Sequence, residues 1–286
     1  MANSSQATGS PRQVGQELSQ LAGFLFGQAS SLWWRSRALE IIAGLIVVFV
    51  TAFDAGKVLS GFGAVVATGL IVAAYVMRLF FEDKYDTAET MRRQSVLCEG
   101  LDWRVSSWQK SEWERKAGKK LLNRLSAEPR VNDYYGSHSP PGPKRLAEMT
   151  LESEFYTRHQ YVNLRNIAWT FVAVTSVGTL VVLLASANQT VPETWGLLLA
   201  KAIFVAIPIV LTADFLGWAF RLQRITGELD EVENGLDRQL ELAKPVLTEV
   251  MRLVSEYNCK VVAGIPIPAR LWNQWHDQIR ALWERR

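Results

Sequence analysis

Apolar residues in this chain gather into long runs instead of spreading at a regular helical or strand period. Residues 41–53, 58–77, 167–190 and 202–213 contain no charged side chain. A bilayer's hydrocarbon core, about 30 Å thick, takes roughly 20 helical residues to cross. Segments 61–81 and 167–187 reach that length, and so does 195–218 if Lys201 and Asp214 are tolerated. A further run, 38–53, is short and carries Glu40, but it extends backward through Trp33 and Trp34. The pattern therefore predicts an all-α polytopic membrane protein: four transmembrane helices in two hairpins, at 38–81 and 167–218, with a helical cytosolic region. The competing reading of each run is a buried helix of a soluble protein, and four runs arranged in pairs argue against it. Trp33, Trp34, Trp169, Trp195 and Trp218 stand at run ends, where aromatic belts form.

Outside those runs the periodicity changes. The opening stretch, within 1–30, is polar and is expected to be disordered or amphipathic; it resembles no secretory signal. The second span is expected to continue as helix until Gly100 offers a C-cap. Trp113, Ala117, Leu121 and Leu125 follow at steps of four and predict one apolar helix face. A connector rich in proline, glycine and serine leads to Pro143, from which nothing interrupts a helix to Ala187. Segment 82–166 thus reads as a cytosolic insert and stalk, with Leu146, Met149, Phe155 and Tyr156 on the stalk.

Segment 219–286 reads as a cytosolic C-terminal region. Leu222, Ile225, Leu229, Val232, Leu236, Ala243, Val246, Val250, Leu253 and Tyr257 alternate in steps of mostly three and four. This predicts a helix packed on other helices, within the chain or between subunits as a coiled coil, with a kink at Pro245. A final amphipathic helix groups Leu271, Trp275, Ile279 and Leu282 on one face, widened by Trp272 and Trp283, to dock on protein or lie among headgroups.

Charge adds an orientation. The loops 54–60 and 187–194 hold one lysine and no arginine between them, whereas the opposite flanks hold Arg35, Arg37, Arg78, Lys84, Arg92, Arg93, Arg158, Arg165, Arg221 and Arg224. The positive-inside rule then places both termini and the central segment in the cytoplasm, as in an inner-membrane protein. Cys98 and Cys259 would sit in a reducing compartment, with no disulfide expected. Across 286 residues, 49% hydrophobic and 21% charged, the formal net charge is +3, too modest for a binder of nucleic acid duplex.

Catalytic patterns are missing. The sequence has no glycine-rich phosphate loop, nucleophile elbow or histidine pair at metal-ligand spacing, and His138, His159 and His276 are scattered. A non-enzymatic protein without cofactor or metal is the expectation. Intramembrane charges point to function by default. Arg78 and Asp214 fall near the inner ends of their spans and suggest a pair, the other reading being that each snorkels alone; Lys201 is placed to snorkel outward. Thr175, Ser176, Gly178, Thr179 and Ser186 make a small, hydroxylated stripe, and Pro208 interrupts the fourth span. Such a stripe permits close helix packing, or in an oligomer could line a water path.

Two hairpins around a cytosolic insert, an arginine-rich stalk and the terminal "GIPIPARLWNQWHDQIR" resemble the SMODS-associated four-transmembrane effectors of bacterial antiphage systems. Tyr134, Tyr135 and Pro140 stand roughly where the family has its pre-stalk cluster. Leu164 and Arg165 match its stalk-end motif, and Pro268, Ala269 and Trp272 its terminal one, with Ala269 in place of an acid. The resemblance implies a homo-oligomeric pore former gated from the cytosol by a nucleotide second messenger. It makes Arg92, Arg93, Lys144, Arg145 and Arg158 candidates for binding a cyclic nucleotide's phosphates, since guanidinium groups fork onto phosphate oxygens. The other reading of these residues is the ordinary positive flank of a membrane protein. A membrane scaffold, or a small transporter, is the alternative function.

Overall fold

The computed structural model describes residues 10–52, 56–127, 135–187 and 214–286. Among these residues the chain forms helices and no strands: α1 (Pro11–Ala52), α2 (Gly56–Leu101), α3 (Ser107–Ala127), α4 (Pro143–Ala187), α5 (Phe215–Glu241), α6 (Leu247–Val262) and α7 (Ala269–Trp283). The expectations on Tyr134, Trp195, Lys201 and Pro208, and on the side chains of Thr179 and Ser186, lie outside the described residues, as does most of the fourth expected span. Two units divide the chain. The first comprises residues 1–29, 82–160 and 225–286; the second comprises 30–81 and 161–224. Helices α1, α2, α4 and α5 each contribute residues to both units without interruption.

The first unit has a conventional core. Leu18, Leu21, Ala22 and Leu25 of α1 pack with Ala88 and Met91 of α2 and with Trp113, Ala117 and Leu121 of α3. The polar N-terminal stretch is therefore not uniformly irregular: helix begins at Pro11. A reciprocal capping box explains the start. The Ser10 amide donates to Gln13 Oε1 at 3.2 Å and the Gln13 amide to Ser10 Oγ at 3.3 Å, satisfying donors that the first turn leaves unpaired. Ser106 and Gln109 repeat the device at the head of α3. Gly118, at φ 79°, kinks α3 between Ala117 and Leu121 so that both remain buried.

Gly100 does not serve as a C-cap, since α2 runs through it to Leu101 and Asp102 takes the left-handed conformation at φ 57°. Its role is close approach. A β-carbon at Gly100 would stand 3.1 Å from the Leu146 Cα, and the Gly142 amide donates to the Gly100 carbonyl at 2.7 Å.

The C-terminal apolar repeat forms two helices, not one kinked rod. α5 ends at Glu241, α6 begins at Leu247, and Pro245 lies in the link. A β-carbon at Gly235 would lie 2.6 Å from Leu253 Cδ2, and Lys260 meets Glu228 at 2.8 Å, so α5 and α6 run antiparallel. Ile225, Leu229, Val232, Leu236, Val250, Leu253 and Tyr257 are buried by this hairpin and its neighbours within the chain. Exposed Val246 marks the turn. α7 docks on protein: Trp275 and Ile279 are buried and the Trp283 ring lies 5.2 Å from Phe155.

The second unit buries Trp33, Tyr161, Leu164, Trp218 and Leu222 together with small residues, and turns many large apolar side chains outward. Ser36, Ala43, Ala67, Ala74, Ala168 and Ala219 are buried, while Phe62, Val65, Tyr75, Phe80 and Val174 face outward, each at least 60% exposed. A β-carbon at Gly63 would stand 2.6 Å from Val50 Cγ2, so α1 and α2 touch where side chains are smallest. Among the described residues, α2 is long and apolar enough over Gly61–Leu101 to cross a membrane, and 11% of its apolar window is buried.

Candidate functional site

The polar chemistry of the first unit concentrates in a partly buried ionic track across α2, α4, α5, α6 and the C-terminal Arg286. On α2, Glu89 is 3% exposed, and Arg92 reaches back one turn to grip its carboxylate, donating at 2.9 Å through Nη2. Arg92 Nη2 also donates to Asn258 Oδ1 at 2.7 Å on α6, and its guanidinium lies 5.3 Å from the Tyr257 ring. Arg93 lies 3.5 Å from the Glu89 carboxylate and donates to the Asn258 carbonyl at 3.4 Å. Tyr257, 3.0 Å from the Thr157 hydroxyl, carries the track onto α4. Burial is the main reason the Tyr257 phenol is pushed up to about 12, so it serves as a neutral hydrogen-bonding group at neutral pH.

At Arg158, next to Thr157, the track becomes ionic. Arg158 pairs with Asp230 at 2.7 Å and Glu233 at 2.8 Å on α5, and lies 3.5 Å from Glu154 on its own helix. Arg286 pairs with Glu233 and Asp237, and its guanidinium lies 5.8 Å from the Phe155 and Trp283 rings. Glu154 is the most confined member. It is fully buried and neither carboxyl oxygen has a hydrogen-bond partner. Burial, reinforced by the nearby Glu233 charge and only partly offset by Arg158, pushes its carboxyl up to about 8. At neutral pH Glu154 is therefore predominantly protonated.

The five basic residues expected to bind phosphate occupy three places. Arg92 and Arg93 share Glu89, and Arg158 is held by Asp230 and Glu233 and lies beside Glu154. Arg145 and Lys144 lie at the head of α4, where the 135–142 segment folds over the helix. There Arg145 donates to the Ser139 carbonyl at 2.8 Å, and Ser137, Ser139 and Lys144 converge on Glu148. Glu152 accepts the Gly136 amide at 2.9 Å, and burial raises its carboxyl above the ordinary range. Tyr135 is buried and Pro140 closes the same segment. Lys144, with 62% of its side chain exposed and its nearest carboxylate 4.0 Å away, is the most open to solvent, followed by Arg93 at 41%.

In the second unit Arg78 and Asp214 form no ion pair. Asp214, at φ 53°, lays its carboxylate against Gly217 in the first turn of α5, where a helix favours negative charge. On the hydroxylated stripe, Thr175 donates to the Phe171 carbonyl at 2.8 Å one turn earlier, and Ser176 and Gly178 face outward.

Glu89, Glu154, Glu233, Tyr257, Asn258 and Arg286 are the site residues that sequence reasoning missed. Glu89, Arg92 and Arg93, like Glu154 and Arg158, sit at three- and four-residue spacing inside helices that also bury large apolar side chains. That mixture is the available signal. No protein-family model, curated protein or solved structure matches the chain.

Proposed function

We propose that this protein is a four-span membrane effector of the bacterial inner membrane, with both termini cytoplasmic, that assembles as a homo-oligomer and opens a pore when its polar unit is triggered. The observation that carries the membrane part is α2, whose apolar stretch leaves Phe62, Val65, Tyr75 and Phe80 turned outward, with 11% of its apolar window buried. Water does not support such a surface; lipid does. The resemblance to SMODS-associated four-transmembrane effectors supplies the pore and the nucleotide trigger.

The ionic track is the reading's gate. α1, α2, α4 and α5 belong to both units, so a change in how the track holds α2, α4 and α5 acts on helices that continue into the apolar unit. A cyclic nucleotide's phosphate would have to displace carboxylates, taking Arg158 from Asp230 and Glu233 or Arg92 from Glu89. Such an exchange switches between two discrete pairings, which is what a two-state gate needs.

The test is to induce the chain in bacterial cells and follow membrane potential and entry of an impermeant dye, with and without cyclic dinucleotides. Ligand-dependent depolarisation is expected. A membrane-bound chain that leaves the potential unchanged under every condition overturns the pore and favours a scaffold.

A further inference from the structure

The second unit carries a basic collar with too few acids to neutralise it. Its described side chains include six arginines, Arg35, Arg37, Arg78, Arg165, Arg221 and Arg224, against two acids, Glu40 and Asp214. Arg37 is answered inside the chain, at 2.7 Å from Glu40 and over the Trp33 and Trp218 rings at 5.4 and 5.8 Å. Arg165 reaches only the neutral Asn166 side chain, at 3.5 Å. Arg35, Arg78 and Arg221 have no ion pair among the described residues, and Arg35 and Arg221 are exposed.

These guanidinium groups share one level. The contact of Gly63 with Val50 sets α1 and α2 antiparallel, in a register that brings Arg35 opposite Arg78. Phe171 on Phe215 at 4.2 Å and Trp169 on Phe220 at 5.3 Å do the same for α4 and α5, leaving Arg165 and Arg221 within about a turn of each other. The Trp33–Trp218 contact at 4.9 Å joins α1 to α5 at that level. Immediately beside the collar, Leu79, Phe80, Ile167 and Phe220 turn apolar side chains outward.

We infer that this collar is a binding site for anionic glycerophospholipid. The guanidinium groups of Arg35, Arg78 and Arg221 take the phosphodiester, the tryptophan layer sits among the headgroups, and the acyl chains lie along Leu79, Phe80, Ile167 and Phe220. Guanidinium is weakly hydrated and forks onto phosphate oxygens, so it suits this boundary better than lysine. The inference rests on the membrane reading above and adds to it a preference for lipid charge.

The experiment uses the full chain in nanodiscs of phosphatidylcholine alone, or of phosphatidylcholine with phosphatidylglycerol, for wild type and the triple variant R35Q/R78Q/R221Q. The thermal midpoint and the lipid retained in native mass spectrometry are read, with K116Q/K119Q/K120Q as the charge-matched control on α3. A midpoint raised by phosphatidylglycerol, lost in the triple variant and kept in the control, is expected. Retention of phosphatidylglycerol should fall about fivefold per arginine removed. Equal midpoints in both lipids, or an unchanged increment in the triple variant, overturn the inference. So does inorganic phosphate giving the same stabilisation in phosphatidylcholine discs, which would make this a simple anion site. A chain that an alkaline carbonate wash strips from native membranes refutes the membrane reading itself, a result separable from the absence of lipid preference.

Discussion

The two units solve opposite problems with the same element. In the first, α1, α3, α4, α5 and α6 bury leucine, isoleucine and methionine and leave many of their charges at the surface, as a helical assembly in water must. In the second, Ala43, Ala67 and Ala74 are buried, Gly63 lies at a close approach and Trp33 packs on Trp218, while many bulky residues look outward. In the lipid proposed above, burying leucine would gain little, and close approach through small residues would become a source of cohesion. The charges differ as well: those of the ionic track lie among opposite charges within the chain, whereas Arg35, Arg78 and Arg221 of the second unit have no ion pair among the described residues.

The largest effect that would sharpen this contrast is loss of Arg158. Arg158→Ala leaves Asp230 and Glu233 without their pair on α4 and should cost about 3–5 kcal/mol in thermal or denaturant unfolding. Arg78→Ala in the second unit should change stability by less than about 1 kcal/mol. Next come truncations of equal chemistry in unlike places. Leu229→Ala removes a fully buried side chain and should cost about 2–5 kcal/mol, whereas Phe62→Ala, on the outward face of α2, should stay within about 0.5 kcal/mol. Equal losses at both positions would mean that the outward face of α2 is covered by protein, and the contrast would fail.

A pH dependence belongs to the first unit. Glu154 binds its proton more tightly folded, up to about 8, than unfolded, near 4.5. Its contribution is therefore greatest at low pH and is lost as pH rises through that window, amounting to a few kcal/mol at the alkaline end. Glu154→Gln should flatten the slope in unfolding midpoints measured between those pH values; an unchanged slope would locate the linkage elsewhere. The smallest effect is at a helix start: Ser106→Ala should cost about 1 kcal/mol by leaving the Gln109 amide without its cap.

The helical class was legible because it follows from periodicity and from unbroken stretches. The α3 face, the length of α4 and the apolar stretch of α2 were all readable from residue spacing alone. Less legible was everything that depends on which face of a helix meets which neighbour. Arg92, Arg93 and Arg158 look alike in sequence whether they face water or Glu89 and Glu233, since a helix places its carboxylate partner either one turn away or on a helix remote in sequence. The break between α5 and α6 was half visible in Pro245, yet the antiparallel return needs the contact of Gly235 with Leu253, which no local pattern encodes. Ser10 with Gln13 was an available signal for the start of α1, overridden by the polar composition around it.

The pair of thiols gives the molecule a built-in handle. Cys98 is shut within the first unit, where burial pushes its thiol up to about 11, while Cys259 on α6 is exposed. Only a thiolate reacts quickly, so at neutral pH a maleimide dye should mark Cys259 and pass over Cys98. With no engineering at all, a fluorophore would then sit one residue from Asn258, reporting directly on the hold that Arg92 and Arg93 keep on α6.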